Sequence, residues 1–201
     1  MITSEEFGLL VRHLGEQGET DIEWAENVRE PTDATTFALE AIWVICNSGM
    51  RYAVARKIES RVLQAIHEGR PVAEAFGHKG KATAMQYIWD NRENLFGRYI
   101  CAEDKLAFLE SLPWIGGVTK FQLAKNFGMD FAKPDIHLQR LGNAWESTPH
   151  EICERLARQT GYRIGTVDLI LWRACATGLI DSRSGSLRIS DRDCHSPDSG
   201  T

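Results

Sequence analysis

Between Leu112 and Gly142 the chain reads LPWIGGVTKFQLAKNFGMDFAKPDIHLQRLG, and no other stretch constrains the fold as closely. Residues 103–112 form an amphipathic run that Pro113 ends. Gly116 and Gly117 permit a tight turn, and residues 119–127 resume helical spacing before Gly128 stops it. Two short helices are therefore expected to flank a hairpin. Further on, Pro134 and Asp135 precede a helix that starts at Ile136, which puts Asp135 in the N-cap position. This order offers backbone amides to a phosphate and then one carboxylate at a helix mouth.

Helical periodicity governs the rest of the chain. Residues 5–14, 35–46, 51–68, 81–91, 136–145, 150–160 and 165–177 all carry it. Ser4 precedes two glutamates, Asp33 or Thr35 precedes an apolar run, and Thr148 precedes Pro149 and Glu151, all of them start signals. No alternating run is long enough for a sheet, although residues 186–189 can pair briefly. The chain is thus read as all-α, with a helical domain over 1–181 and a frayed or disordered tail over 182–201, which is rich in Ser, Asp, Arg and Gly.

A length of 201 residues with 43% hydrophobic content suffices for a sizeable core in one domain or two packed lobes. No apolar run is long enough for a bilayer, and the start, MITSEEF, lacks the pattern of a signal peptide, so the expectation is a cytoplasmic protein. Five cysteines, at 46, 101, 153, 175 and 194, are odd in number and widely spaced, which suggests neither a disulfide framework nor a metal site. Cys194 and His195 lack nearby partner ligands in the sequence.

Leu112, Pro113, Ile115, Gly116 and Thr119, followed by Phe127, Gly128, Pro134, Asp135, His137 and Arg140, resemble the hairpin and downstream segment of the helix-hairpin-helix (HhH-GPD) DNA glycosylases. That superfamily includes endonuclease III and 8-oxoguanine DNA glycosylase. Residues 43–53, WVICNSGMRYA, look like the helix and loop that in 8-oxoguanine DNA glycosylase enter the duplex beside the extruded base. Residues 78–88, HKGKATAMQYI, look like the family's Lys-Ala-x-x-Ile helix. The likeness runs from residue 35 to residue 180, with the helix-hairpin-helix motif at 103–128. The four-cysteine iron–sulfur loop of endonuclease III has no counterpart. Trp114 stands where the first hairpin glycine is expected; if that position needs positive φ, the hairpin is distorted or the ring has a contact of its own.

The resemblance implies a two-lobed fold with a cleft between lobes, and an enzyme that hydrolyses the N-glycosidic bond of a damaged, mispaired or modified base in double-stranded DNA. Such cleavage passes through a sugar of oxocarbenium character, which a carboxylate stabilises while it orients or deprotonates water. Asp135 matches the catalytic aspartate. The target nucleotide is first rotated out of the stack, and Asn47, Met50 and Arg51 match the loop that fills the gap. Gly116, Gly117, Val118, Thr119 and Lys120 match the phosphate anchor, Lys81 is a further DNA contact, and Trp114, Tyr52 and His137 are candidates for the base pocket. The likeness implies no cofactor beyond a monovalent cation at the hairpin carbonyls. It also implies a monomer, nucleoid-associated in a bacterium.

Bifunctional relatives carry a nucleophilic lysine at the position that aligns with Val118, so the likeness favours a monofunctional enzyme that uses water and disfavours lyase activity. Lys120 lies about 200° around the helix from Val118. Two further readings stay open: a phage-type relative that processes hypermodified thymine, and a non-catalytic DNA-binding protein. Individual residues have bland readings too. Asp135 can serve as a cap alone, His137 can satisfy a backbone group, and Trp43, Trp89, Trp145 and Trp172 fit helix cores.

The net charge of −5 is uneven. Residues 1–40 hold ten acidic and two basic side chains, net −8, which leaves residues 41–201 at −5 − (−8) = +3. Arg51, Arg56, Lys57, Arg61, Lys79, Lys81, Lys120, Lys125 and Lys133 provide the local basic face that phosphate contact needs.

Overall fold

The computed structural model describes residues 1–189. In chain order the elements are α1 (Ser4–Leu14), α2 (Glu16–Asn27), α3 (Ala34–Asn47), α4 (Tyr52–His67), α5 (Val72–Ala75), α6 (Lys79–Asp90), α7 (Arg92–Cys101), α8 (Lys105–Glu110), α9 (Thr119–Asn126), α10 (Ile136–Ala144), α11 (Pro149–Thr160), α12 (Ile164–Thr177), β1 (Ile180–Asp181) and β2 (Ser186–Leu187). Among the described residues the fold is all-α apart from the short β1–β2 hairpin, and no helix is long and apolar enough to cross a membrane. The helices gather into two compact units. Unit 2 is the continuous segment Arg29–Met129, and unit 1 is made from Met1–Val28 together with the chain from Asp130 onward.

Unit 2 is built around α3, which packs against α4, α6, α7 and α9. Its sequence, ATTFALEAIWVICN, buries residues on nearly every side, as a central helix must. Asp33 caps it by accepting the Thr36 amide at 2.8 Å. Phe37 anchors the aromatic core, with ring centroids 5.5 Å from Tyr99 and 5.3 Å from Phe127. The Tyr99 hydroxyl donates to Glu30 at 2.7 Å.

Unit 1 is organised on α12, which packs against α2, α10 and α11. Leu138, Leu141, Ile152, Leu156, Ile170 and Leu171 form its core with Phe7 and Leu10. Thr148 and Glu151 make a capping box with Pro149 in the first turn, which fixes where α11 begins. The boundary expected after residue 181 falls inside a hairpin, because Ile180 pairs with Leu187 and Asp181 with Ser186. The first part of the expected tail thus carries the turn and second strand of that hairpin. Arg188 Nη2 donates to Asp181 at 2.5 Å and helps close that hairpin. The remainder of the expected tail, with Cys194 and His195, lies outside the described residues.

Candidate functional site

In unit 2, α8 and α9 flank the expected hairpin, but its turn chemistry differs from the reading of the sequence. Neither Gly116 nor Gly117 has a positive φ; the left-handed residue is Trp114, at +68°. An L residue with a bulky side chain loses roughly 1–2 kcal/mol in that conformation. The ring also has contacts of its own. It makes a T-shaped contact with the His78 imidazole, with centroids 5.1 Å apart, and a Cβ built on Gly80 would stand 2.5 Å from an indole carbon. Trp114 nonetheless remains 45% exposed.

The hairpin amides are not equivalent. The Gly116 N–H is spent inside the loop, donating to the Thr119 hydroxyl at 2.8 Å. Among the described residues, the amides of Gly117, Val118 and Thr119 have no acceptor, and they lead into α9, where the helix dipole favours an anion. Val118 is 41% exposed. Lys120 is not a free cation beside them, because its ammonium pairs with Glu110 at 2.5 Å. The carbonyls of Trp114, Ile115 and Gly117 accept no hydrogen bond among the described residues, and carbonyl oxygens are suitable donors for a hard cation.

The loop expected to enter DNA follows α3. Asn47 ends that helix, Gly49 turns with φ +67°, and the Met50 amide returns to the Asn47 carbonyl at 3.2 Å. Arg51 and Tyr52 are exposed, whereas Asn47 and Met50 are half-buried. Lys81 reaches into this loop from α6. It is only 4% exposed, and its ammonium donates to the Ser48 carbonyl at 2.6 Å, so it pins the loop from within and is withdrawn from any phosphate. Burial pulls its pKa below the ordinary lysine value.

The basic face is correspondingly smaller than its residue count. Lys125 is buried, and Arg56, though exposed, lies 4.0 Å over the Trp43 ring while it pairs with Glu59. Arg51, Lys57, Arg61 and Lys79 remain exposed.

In unit 1, Asp135 is the N-cap of α10. Its Oδ1 accepts the amides of His137 and Leu138 at 2.9 and 3.1 Å, and Oδ2 accepts no hydrogen bond among the described residues. The side chain is half-buried. The connector that carries it is clamped to α12: Asp168, 2% exposed, accepts the Lys133 amide at 3.0 Å, and Asp130 accepts the Gly165 amide at 2.8 Å. Sequence reading missed both clamps. An aspartate inside the apolar run Val167-Asp168-Leu169-Ile170 was the available signal, because a buried carboxylate needs a local donor.

His137 Nδ1 is buried and has no hydrogen-bond partner among the described residues. Cys175 lies within the electrostatic reach of Asp135; burial, then the charges of Asp135 and Asp181, push its thiol up to about 12. Among the described residues no three His, Cys, Asp or Glu side chains converge as a metal site. No family model, curated protein or solved structure matches the chain.

Proposed function

We propose that the protein is a monofunctional DNA glycosylase of the helix-hairpin-helix type, in which Asp135 promotes hydrolysis of the N-glycosidic bond of an everted nucleotide. The observation that carries this reading is the division of labour within one carboxylate. Two backbone amides hold Oδ1 and fix the orientation of the group, while Oδ2 accepts no hydrogen bond among the described residues. A carboxylate held this way can stabilise an oxocarbenium-like sugar and take a proton from water without reorganising during the reaction.

The amides of Gly117, Val118 and Thr119 are proposed to hold a backbone phosphate, which fixes register without reading sequence. A monovalent cation at the hairpin carbonyls would add positive charge to that anchor. Asn47, Met50 and Arg51 are proposed to occupy the space an everted nucleotide leaves, with Lys81 holding their loop in shape. Water is the preferred nucleophile, because Val118 offers no amine and the Lys120 ammonium is engaged by Glu110.

The test is base release under single-turnover conditions from duplexes carrying oxidised, alkylated, mismatched or hypermodified bases. Free bases are identified by mass spectrometry and abasic sites by alkaline cleavage. Release of a base from at least one duplex is expected. Release confined to hypermodified thymine would select the phage-type reading. Tight duplex binding with no base released from any of them would leave a DNA-binding protein and overturn the enzymatic reading.

A further inference from the structure

Trp114 is held in place at a conformational cost, yet the residue is left 45% exposed. Its backbone occupies a region that a bulky L residue normally avoids. The ring sits on Gly80 so closely that any side chain there would collide with it, and it makes a T-shaped contact with the imidazole of His78. His78 is itself fixed: its Nδ1 accepts the Lys81 amide at 3.3 Å, and its ring stacks with Phe76 at 6.0 Å. If burying the ring were its only use, leaving 45% of the residue exposed would return little for that strain. A braced and partly exposed aromatic ring suits a flat ligand, since little side-chain freedom is lost when it binds.

The chemistry next to the ring narrows the ligand. Trp114 and the free amide of Gly117 are three residues apart, so at most about 10 Å of backbone separates them. The amides suit an anion and the indole suits an aromatic face. A nucleotide presents both within one unit. Lys120 is neutralised by Glu110, so charge attraction from lysine is weak at this point and stacking carries more of the recognition.

We propose that Trp114 is a stacking surface for one unstacked nucleobase of a DNA strand whose phosphate is held by the amides of Gly117 to Thr119. The proposal rests on the reading of the hairpin as a DNA anchor and adds to it a preference for strands with a base out of the helix. A fully paired duplex offers the ring no base face.

The test compares binding, by fluorescence anisotropy, to a fully paired duplex and to the same duplex with a single-nucleotide bulge. The wild-type protein is expected to favour the bulge. Trp114→Ala should lose about 5- to 150-fold in affinity for the bulged duplex, the range of one base–aromatic stack. Its affinity for the paired duplex should stay within twofold. Trp114→Phe should retain part of the preference. Gly80→Ala keeps the indole but crowds it at 2.5 Å, and should also reduce the preference. A merely structural role for the ring would lower both affinities together. An unchanged ratio in Trp114→Ala, with paired-duplex binding intact, overturns this inference alone. Absence of wild-type binding to either duplex overturns the DNA reading with it.

Discussion

Replacing Asp135 by Asn and by Ala separates the two duties assigned to one carboxylate. As an N-cap, Oδ1 accepts two amides, at 2.9 and 3.1 Å. Asn offers an amide oxygen in the same place and ranks with Asp as a cap, so stability should change by no more than about 0.5 kcal/mol, mostly from lost charge at the helix start. Ala removes the acceptor and should cost about 1 kcal/mol. For a chain of this length that lowers Tm by about 2–4 °C. Chemistry should respond in a different order. Both variants lose the negative charge, so both should release base about 10²- to 10⁴-fold more slowly. Duplex affinity should hardly move, because the proposed phosphate contacts lie elsewhere. Thermal melts, single-turnover base release and anisotropy on the same three proteins measure these quantities. An Asn variant that releases base at the wild-type rate would refute the catalytic assignment, and an Ala variant with an unchanged Tm would refute the capping argument.

Three further outcomes are expected. Lys81→Met should free the loop after α3 and make trypsin cut after Arg51 faster; an unchanged cleavage rate would contradict the pinning contact with Ser48. Gly185→Ala should cost more than about 2 kcal/mol, read as a lowered urea midpoint, because Gly185 has φ +69° and an added Cβ would lie 2.1 Å from the Trp145 ring nitrogen. Burial, against the Asn126 hydrogen bond, raises the pKa of Glu40 in the folded protein. The native state therefore holds that proton more tightly than the unfolded chain, and stability falls as pH rises from the ordinary carboxylate range through the raised value. Glu40→Gln cannot ionise and still accepts from Asn126, so it should melt higher than wild type at neutral pH and lose the advantage in acid. A difference in Tm that is the same at both pH values would count against this.

The amphipathic helices were legible because burial and spacing agree in them, as in α11, whose buried Ile152, Cys153 and Leu156 follow the helical repeat. α2 was missed for a definite reason. It reads EQGETDIEWAEN and buries Gly18, Asp21 and Ala25 in place of a hydrophobic stripe. It is held by close approach, since a Cβ on Gly18 would stand 2.8 Å from Leu14, and by a bidentate ion pair from Arg173 to Asp21 at 2.7 and 2.9 Å. Neither contact leaves a periodic trace. α7 escaped because only Leu95 and Tyr99 mark its inner face.

At the candidate site, the N-cap position of Asp135 could be read from Pro134 and the run that follows. The fates of the lysines could not. Whether Lys81 or Lys120 meets solvent depends on Ser48 and Glu110, partners 33 and 10 residues away. The positive φ of Trp114 was legible only as a conditional, because a side chain alone does not reveal the backbone on which it is carried.

Unit 1 takes its helices from both ends of the chain, with unit 2 inserted as one uninterrupted segment. On the ribosome the insert therefore has all of its own helices once Met129 is made, whereas unit 1 still waits for its later ones. Phe7 and Leu10 emerge early, yet much of the surface that covers them belongs to residues made after 130. At typical elongation rates the wait from residue 28 to residue 177 lasts about 10–30 s. Over that interval Phe7 and Leu10 are without most of the side chains that bury them in the folded unit.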